Sequence, residues 1–288
     1  MPTSLKYLGI SAFQIEAEGH TMLVDPCITM NESSPVKVED MEEGIDIILV
    51  THGAPDHMGD AVEIQKRTKA TLVSGPGVRV HAISQGVRED EALSVLWGDH
   101  IEVKGVSIQC VECRHISFFQ SGGTYISDLP LSFIISPERD VRIYNLGDTA
   151  LFSDMRLISE LYRPNIALIP IGGNPKLTGG WTHLAPREAS MAAQWISPEV
   201  VIPTHYDPGS AEAQQFVERV KTLSPNVHVE LLKPVEYTPS TPGCTLKARD
   251  PSPSQDPEVL QSAAEEPCRE SAPKELSAKS SIHVKEAT

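Results

Sequence analysis

Four short apolar segments of this sequence are each followed, within a few residues, by a histidine or an aspartate. They end near Val50, Val111, Leu146 and Pro203, in a chain where predicted strands and helices alternate. The first of them, Ile45–Val50, is rich in β-branched residues, which predicts a buried strand. In α/β proteins, polar groups at the carboxyl ends of such strands collect at one edge of the sheet. The sequence therefore predicts an α/β fold in which four strand ends converge on one site.

The loop after the first of these strands carries the densest group of metal-binding residue types. It reads THGAPDHMGD and places His52, Asp56 and His57 within six residues. A glycine and a proline inside it favour a tight loop over a continued strand. A buried carboxylate beside crowded imidazoles needs compensation, and a divalent cation supplies it, because neutral imidazole and carboxylate oxygen are ordinary zinc ligands. The alternative is a polar loop that faces water.

The later strand ends supply three more candidate donors. His115, Asp148 and His205 each follow a predicted strand directly or within a few residues. Asp25 also follows an apolar run and has two interpretations: it faces the same pocket, or it caps the turn before Pro26. Five other histidines lie outside the pattern and are interpreted as bystanders, namely His20, His81, His100, His228 and His283.

Hydrophobic periodicity and turn residues predict the remaining elements. Strands are predicted at Leu5–Leu8, Phe13–Glu16, Thr21–Val24, Thr71–Ser74, Leu93–Leu96, His100–Val103, Leu131–Ile135 and Ile166–Ile171. Helices are predicted at Asp60–Arg67, Val78–Gln85, Met155–Tyr162 and Arg187–Trp195. The first three strands suggest an antiparallel meander, and Gly98-Asp99 predicts a hairpin between its two flanking strands. Pro186 suits the first turn of the last helix.

Charge and cysteine content limit the expected partners and compartment. With a formal net charge of −15, the chain has no broad cationic surface, so nucleic acid is not expected as a partner. No apolar run approaches the length that spans a bilayer, and no signal peptide is recognised, so no membrane partner is expected. Five scattered cysteines indicate reduced thiols in the cytoplasm. Cys110 and Cys113 lie on a predicted strand and are interpreted as packed core thiols rather than a metal site.

Composition also divides the chain into two parts. Residues 1–238 contain the predicted strands and helices and form one predicted domain. From Pro239 onward the sequence is rich in Pro, Ser, Glu and Ala and has few large apolar residues. Such a segment buries too little apolar surface to offset its chain entropy, so residues 239–288 are predicted to be a disordered tail.

The ordered motifs resemble those of the metallo-β-lactamase superfamily. The loop THGAPDHMGD is similar to its T-H-x-H-x-D-H motif, and His115, the triplet GDT at Asp148 and the segment PTHY at His205 follow in the family's order. The stretches YNLGDTALFSDMRLISELYRPNIALIPIGG and VVIPTHYDP resemble the ascorbate-6-phosphate lactonase-like branch of metal-dependent hydrolases. The resemblance covers about residues 5–236 and implies an αββα sandwich with a metal site along one edge of the two sheets.

The resemblance also implies a centre of one or two divalent ions, zinc or manganese. It assigns His52 and His115 to a first metal, Asp56, His57 and His205 to a second metal, and Asp148 to a bridge between them. Asp56 is expected to orient the attacking water as well. The chain departs from the motif at Ala54, which stands where the family has its second histidine. We therefore expect either two metals with a weakened first site or a single metal in the second.

His183, in the loop before Pro186, has three interpretations. It replaces the missing ligand of the first metal, it contacts substrate or donates a proton, or it is a surface residue. At a helix amino terminus its pKa is expected to be lowered, which favours the neutral imidazole. The glycine-rich loop 172–180, with Lys176 and Trp181 nearby, is a weaker candidate for holding an anionic group.

The function implied by the resemblance is metal-dependent hydrolysis by a metal-bound hydroxide. The expected substrate is a small anionic molecule such as a phosphorylated or carboxylated lactone, and an amide or phosphodiester is the enzymatic alternative. A different class of alternative is a lapsed enzyme, in which Ala54 marks a metal-binding or partner-binding protein on a hydrolase fold. The oligomeric state is left open by the sequence, with a homo-oligomer among the expected states.

Overall fold

A computed structural model of the chain describes residues 3–41, 44–173 and 183–234, together with the backbone of residues 244 and 245. Within these ranges the strands form two seven-stranded sheets and one separate two-stranded hairpin. Helices cover the outer face of each large sheet, so the layers follow the order helix, sheet, sheet, helix. This is the αββα sandwich that the family resemblance implied.

The first sheet is built mainly from the amino-terminal part of the chain. Its strands are β1 (Ser4–Gly9), β2 (Ala12–Ala17), β3 (His20–Val24), β4 (Ile47–Val50), β5 (Thr71–Ser74), β6 (Ala92–Ser94) and β16 (Cys244–Thr245), in the order β16-β1-β2-β3-β4-β5-β6. The predicted meander is confirmed, because β1 to β3 are antiparallel, while β3 to β6 are parallel. β16 pairs with β1. The rest of residues 239–288 lies outside the described ranges, so the domain boundary stays a prediction.

The second sheet follows in the middle of the chain. Its strands are β7 (His100–Val103), β8 (Val106–Glu112), β11 (Leu131–Glu138), β12 (Val141–Asn145), β13 (Ile166–Pro170), β14 (Val200–Thr204) and β15 (His228–Val229), in the order β15-β14-β13-β12-β11-β8-β7. β12 to β15 are parallel. β8 and β12 both run antiparallel to β11, so their carboxyl ends lie at the same edge as that of β14.

Five α-helices lie in the described ranges. They are α1 (Ala61–Thr68), α2 (Pro76–Ser84), α3 (Met155–Tyr162), α4 (Pro186–Ile196) and α5 (Ala211–Leu223), with short 3-10 turns at Val38–Asp40 and Glu89–Glu91. Pro186 lies in the first turn of α4, as predicted. α5 was not predicted, because its buried side, Ala213, Phe216 and Val220, is a narrow apolar stripe in a polar segment. α1 and α2 pack on the first sheet, and α3 to α5 cover the second.

The buried strands have apolar side chains on both faces, which explains their continuous apolar sequences. In β4, Ile47 and Leu49 lie in the core between the sheets, whereas Ile48 and Val50 lie in the core beneath α1 and α2. Because successive side chains of a strand point to opposite faces, one four-residue segment contributes to both cores. The strand is thereby fixed in register, and the loop that follows it is fixed in position.

The hairpin predicted between Leu93–Leu96 and His100–Val103 is wrong. β6 belongs to the first sheet and β7 belongs to the second. Val95 and Val103 both lie in the core between the sheets. Because both side chains are buried in this core, the chain passes from the first sheet to the second at Gly98-Asp99 instead of folding back as a hairpin. The turn residues alone do not indicate this crossing.

The separate hairpin was not predicted either. It consists of β9 (Ser117–Ser121) and β10 (Thr124–Asp128), which pair antiparallel around Gly122-Gly123. Both glycines have positive φ, 56° and 82°. A two-residue hairpin turn of type I′ requires positive φ at both positions, so the Gly-Gly pair is the sequence signal that predicts this hairpin.

Candidate metal centre

The predicted donors lie where strand ends of both sheets meet. His52, Asp56 and His57 follow β4, His115 follows β8, Asp148 follows β12, and His205 follows β14. Two groups of these residues have ligand atoms that all lie within 4.8 Å of one another. The four-donor set is Asp56, His57, Asp148 and His205, and the three-donor set is His52, His115 and Asp148. This is the division that the resemblance implied, and ligation itself stays a prediction.

The histidine loop is held by hydrogen bonds at both of its ends. His57 N donates to Ala54 O at 3.0 Å, which closes a tight turn. Gly53 N donates to Ser117 Oγ at 3.0 Å. A Cβ atom at Gly53 would lie 2.0 Å from the ring of Phe119, so no larger residue fits here. The loop and the β9–β10 hairpin are therefore packed directly against each other.

Asp25 supports His57 from behind. Its Oδ2 lies 2.9 Å from His57 Nδ1, and its two carboxylate oxygens accept hydrogen bonds from Thr51 N and Oγ1 at 2.8 and 2.9 Å. Neither sequence interpretation described this position, since the carboxylate lies behind the histidine and not in the cavity. An imidazole whose Nδ1 donates to a carboxylate presents Nε2 as a lone-pair donor. Asp25 is therefore a positioning residue for His57.

The donor atoms fit a cation better than they fit one another. His57 Nε2 lies 3.0 Å from His205 Nε2, and both face Asp148 Oδ1 at 3.4 and 3.1 Å. Within the described ranges, buried His52 Nε2 has no hydrogen-bond partner. A buried polar atom left unpaired costs about 1–3 kcal/mol, which a bound metal would offset. Burial lowers the pKa of His52 and of His115, so both imidazoles are neutral, as ligands must be.

Charges concentrate around Asp148. Burial raises the pKa of this carboxyl group, but the neighbouring imidazoles, led by His205 and His57, lower it by a larger amount. Its pKa therefore lies well below the ordinary value. Burial likewise lowers the pKa of His57, but the carboxylates of Asp148 and Asp25 raise it well above the ordinary value. In the metal-free protein the site thus favours a positive charge between the two carboxylates, where a divalent ion would take the proton's place.

His183 lies at the site but outside both donor sets. Its Nε2 is 3.9 Å from Asp148 Oδ2, and its ring centroid is 4.5 Å from that of His205. The ring contacts run in the order His115, His52, His57, His205, His183, which puts His183 at the far end from the three-donor set. This position disfavours a replacement ligand for the first metal and favours the interpretation in which His183 contacts substrate. Its side chain is only 5% exposed, so the imidazole is not on the surface.

A cavity of about 570 Å³ opens above the donors. Its lining includes donors of both sets and His183, together with Ala54 and Pro55 of the histidine loop. The lining also includes Ile116, Phe118 and Tyr125, from the start and the outer face of the β9–β10 hairpin. These three residues were missed by sequence reasoning because the hairpin itself was missed.

Other sequence interpretations concern the cysteines, the remaining histidines and the glycine-rich loop. Cys110 and Cys113 are buried free thiols, as predicted, and burial raises the pKa of Cys110 to about 12. Four of the presumed bystanders lie in the described ranges and belong to neither donor set: His20, His81, His100 and His228. His283 and residues 174–182, with Lys176 and Trp181, lie outside the described ranges.

A family model for the Beta-lactamase superfamily domain matches residues 20–206. The chain belongs to the metallo-β-lactamase superfamily. A UPF0173 metal-dependent hydrolase from Methanopyrus kandleri is 39% identical over 236 residues, which is 81% of this chain and 97% of that protein. Another from Caldivirga maquilingensis is 36% identical and covers 80% of this chain and 95% of its own length. This superfamily member is accordingly a metal-dependent hydrolase.

Solved structures agree with this assignment. A metallo hydrolase from Ignicoccus hospitalis matches with a TM-score of 0.67 and 30% identity, over 81% of this chain and 96% of that chain. A metallo-β-lactamase fold protein from Bacillus subtilis, with a TM-score of 0.61 at 12% identity, supports the fold alone. Membership of the lactonase-like branch stays a prediction. None of the helices described for this chain is long and apolar enough to cross a membrane.

Proposed function

We propose that this hydrolase opens a small lactone with a divalent metal held by its donor sets. The observation that carries the proposal is that Asp148, whose carboxylate both donor sets share, lines a cavity of about 570 Å³. Pockets of about 300–1,000 Å³ suit small molecules. The four-donor set would hold one ion, and the three-donor set would hold a second.

When bound, the metal lowers the pKa of water and polarises the scissile carbonyl oxygen. The chain's own groups orient the reactants. Asp56 is half-buried and lines the cavity, where its carboxylate can accept a proton from the attacking water. Ala54 lines the same side, and its small methyl group leaves room for the ring of a substrate.

His183 is proposed to serve the leaving oxygen. Burial lowers its pKa to about 4, so the imidazole is neutral near neutral pH. A neutral imidazole still carries one N–H, and from the cavity wall it can donate a hydrogen bond to the alkoxide that leaves when the lactone ring opens.

The anionic group expected from the sequence is not part of this proposal. In the described ranges the cavity lining contains two carboxylates and no lysine or arginine. Among these described lining residues, a phosphate or carboxylate on the substrate would meet like charge, apart from the metal itself. The same lining disfavours a phosphodiester substrate. A lapsed enzyme is also disfavoured, because both donor sets are assembled despite Ala54.

Zinc or manganese remains the proposed metal, and one or two ions per chain the proposed content. The free thiols of Cys27, Cys110 and Cys113 support a reducing compartment such as the cytoplasm. The proposed partner is a small molecule, and neither nucleic acid nor a membrane surface is included.

The test is turnover by the protein loaded in turn with zinc and with manganese. The panel contains δ-valerolactone, a phosphorylated sugar lactone, an acetylated amide and bis(nitrophenyl) phosphate. We expect metal-dependent hydrolysis of the uncharged lactone and its loss on chelation. Turnover confined to the phosphodiester or the amide, or no turnover with either metal, contradicts the proposal.

A further inference from the structure

Two aromatic rings stand unusually exposed at the mouth of the cavity. In the β9–β10 register, Phe118 lies opposite Ser127 and Tyr125 lies opposite Gln120, so all four side chains share the outer face of the hairpin. The rings of Phe118 and Tyr125 are parallel, with centroids 5.0 Å apart. They are 38% and 63% exposed, although large aromatic side chains dominate protein cores.

The inner face of the same hairpin is fixed to the metal centre. Phe119 is buried against Gly53 of the histidine loop, and Ser117 accepts the hydrogen bond of Gly53 N. On the neighbouring strand, directly opposite Ser117 in the register, Asp128 Oδ2 accepts a hydrogen bond from Val78 N in the first turn of α2, at 3.0 Å. The hairpin is thus attached at two places, and its outer aromatic pair is held at a set position relative to the donors.

The aromatic pair and the donors line one cavity. On the hairpin side the lining continues through Ile116, and on the loop side it includes Ala54 and Pro55. In the described ranges no cationic side chain lies among these residues. A molecule whose carbonyl reaches the donors therefore places its other end on an uncharged, largely aromatic wall.

We propose that Phe118 and Tyr125 form a binding platform for a flat, apolar part of the substrate. The preferred substrate would then be an uncharged lactone that carries or is fused to an aromatic ring. This inference rests on the proposed lactonase function for its reaction, but the platform itself is a statement about binding. The competing explanation, a contact surface between copies of this chain, is one outcome of the test.

The kinetic test uses two substrates with the same cyclic ester, dihydrocoumarin with a fused benzene ring and δ-valerolactone without one. In Phe118→Ala and in Tyr125→Ala we expect KM for dihydrocoumarin to rise about tenfold with kcat little changed, the loss of one aromatic contact. KM for δ-valerolactone should stay within about twofold, since that ring lacks the stacking surface. Tyr125→Phe should behave like the parent chain. The matched control is Leu161→Ala on α3, since Leu161 is as exposed as Tyr125.

A binding test separates the platform from the chemistry. Dihydrocarbostyril and δ-valerolactam are the lactam counterparts of the two lactones and resist hydrolysis. By calorimetry on the zinc-loaded chain, we expect dihydrocarbostyril to bind more tightly than δ-valerolactam, and each alanine variant to lose about tenfold in affinity for it. That result with no lactone turnover would support the platform while the proposed function fails.

Three results would overturn the platform. The first is equal affinity of the parent chain and both alanine variants for dihydrocarbostyril. The second is no measurable binding of it to the parent chain. The third is a dimer in sedimentation that dissociates in Phe118→Ala while lactam binding is unchanged, which would assign the aromatic pair to a subunit interface.

Discussion

The four-donor set and the three-donor set share Asp148 but are supported by different neighbours. His57 of the four-donor set has the buried carboxylate of Asp25 behind its Nδ1 at 2.9 Å. For His52 of the three-donor set, the partner of Nδ1 within the described residues is the hydroxyl of Thr51 at 3.1 Å, which lies equally close to His57 Nδ1. An imidazole is a stronger metal ligand when its other ring nitrogen contacts a carboxylate than when it contacts a hydroxyl. The histidine loop thus supplies an imidazole to each set, and Asp25 makes that of the four-donor set the stronger ligand.

The two sets also differ in the number of donors, because the histidine loop lacks one imidazole of the superfamily motif. Ala54 stands where the superfamily motif has a histidine, and it lines the same cavity as donors of both sets. Its methyl group offers no lone pair, so that set keeps three donors while the other has four. We therefore expect two metals of unequal affinity, or one metal in the four-donor set.

Removal of the shared carboxylate should have the largest effect. In Asp148→Ala both sets lose a donor, so we expect metal content to fall close to zero and kcat/KM on δ-valerolactone to drop by more than about 100-fold. Elemental analysis and turnover measure this, with circular dichroism as the check on folding. The control is Asp154→Ala, an exposed carboxylate at the start of α3, which should keep its metal. Full metal content in Asp148→Ala would show that Asp148 is not a ligand shared by the two donor sets.

Single histidine variants should separate the two sets. We expect His205→Ala to weaken the tighter ion by about 100-fold, and His115→Ala to leave that ion in place and lower only the affinity for a second. Titration with a coloured chelator measures both affinities. His100→Ala, a histidine of neither set, is the control. A loss of the tighter ion in His115→Ala would reverse the order of the two sets.

Asp25→Asn tests the support behind His57. The amide cannot supply the negative charge, so we expect the tighter ion to bind about 10- to 100-fold more weakly, with the second ion unaffected. Chelator competition measures this change. The matched control is Asp46→Asn, whose carboxylate accepts a hydrogen bond from Thr21 N at 3.0 Å near the other end of β4. Equal weakening in both variants would show that Asp25 only stabilises the fold.

Ala54→His should have the smallest effect and should narrow the difference between the sets. The added imidazole gives the three-donor set a fourth donor, so we expect its ion to bind about tenfold more tightly and metal content to move toward two per chain. His183→Ala should leave metal content unchanged, because His183 lies beside His205 and outside both sets. Metal analysis of both single variants and the double variant distinguishes these effects. Unchanged content in Ala54→His would mean that position 54 does not reach the metal.

The donors were predictable because their signal is local. Each follows a short apolar strand, and a loop that begins after a strand buried on both faces cannot shift without moving the core. His57 and His205 illustrate the result, since they lie 148 positions apart in sequence and 3.0 Å apart at their Nε2 atoms. The crossing between β6 and β7 had no such local signal, because the position of Val95 is set by its packing in the core between the sheets.

By itself, the sequence implied the αββα architecture through its resemblance to the superfamily. It also determined which residue types end each strand and the loss of one imidazole at Ala54. Those features depend on the two-residue period of strands and on residue identity, which are properties of short segments. Only the tertiary structure decided that Asp25 lies behind His57, that His183 lies beside His205, and that an aromatic pair faces the donors. These placements depend on the order of strands in two sheets and on how a separate hairpin packs against the histidine loop, which no local pattern encodes.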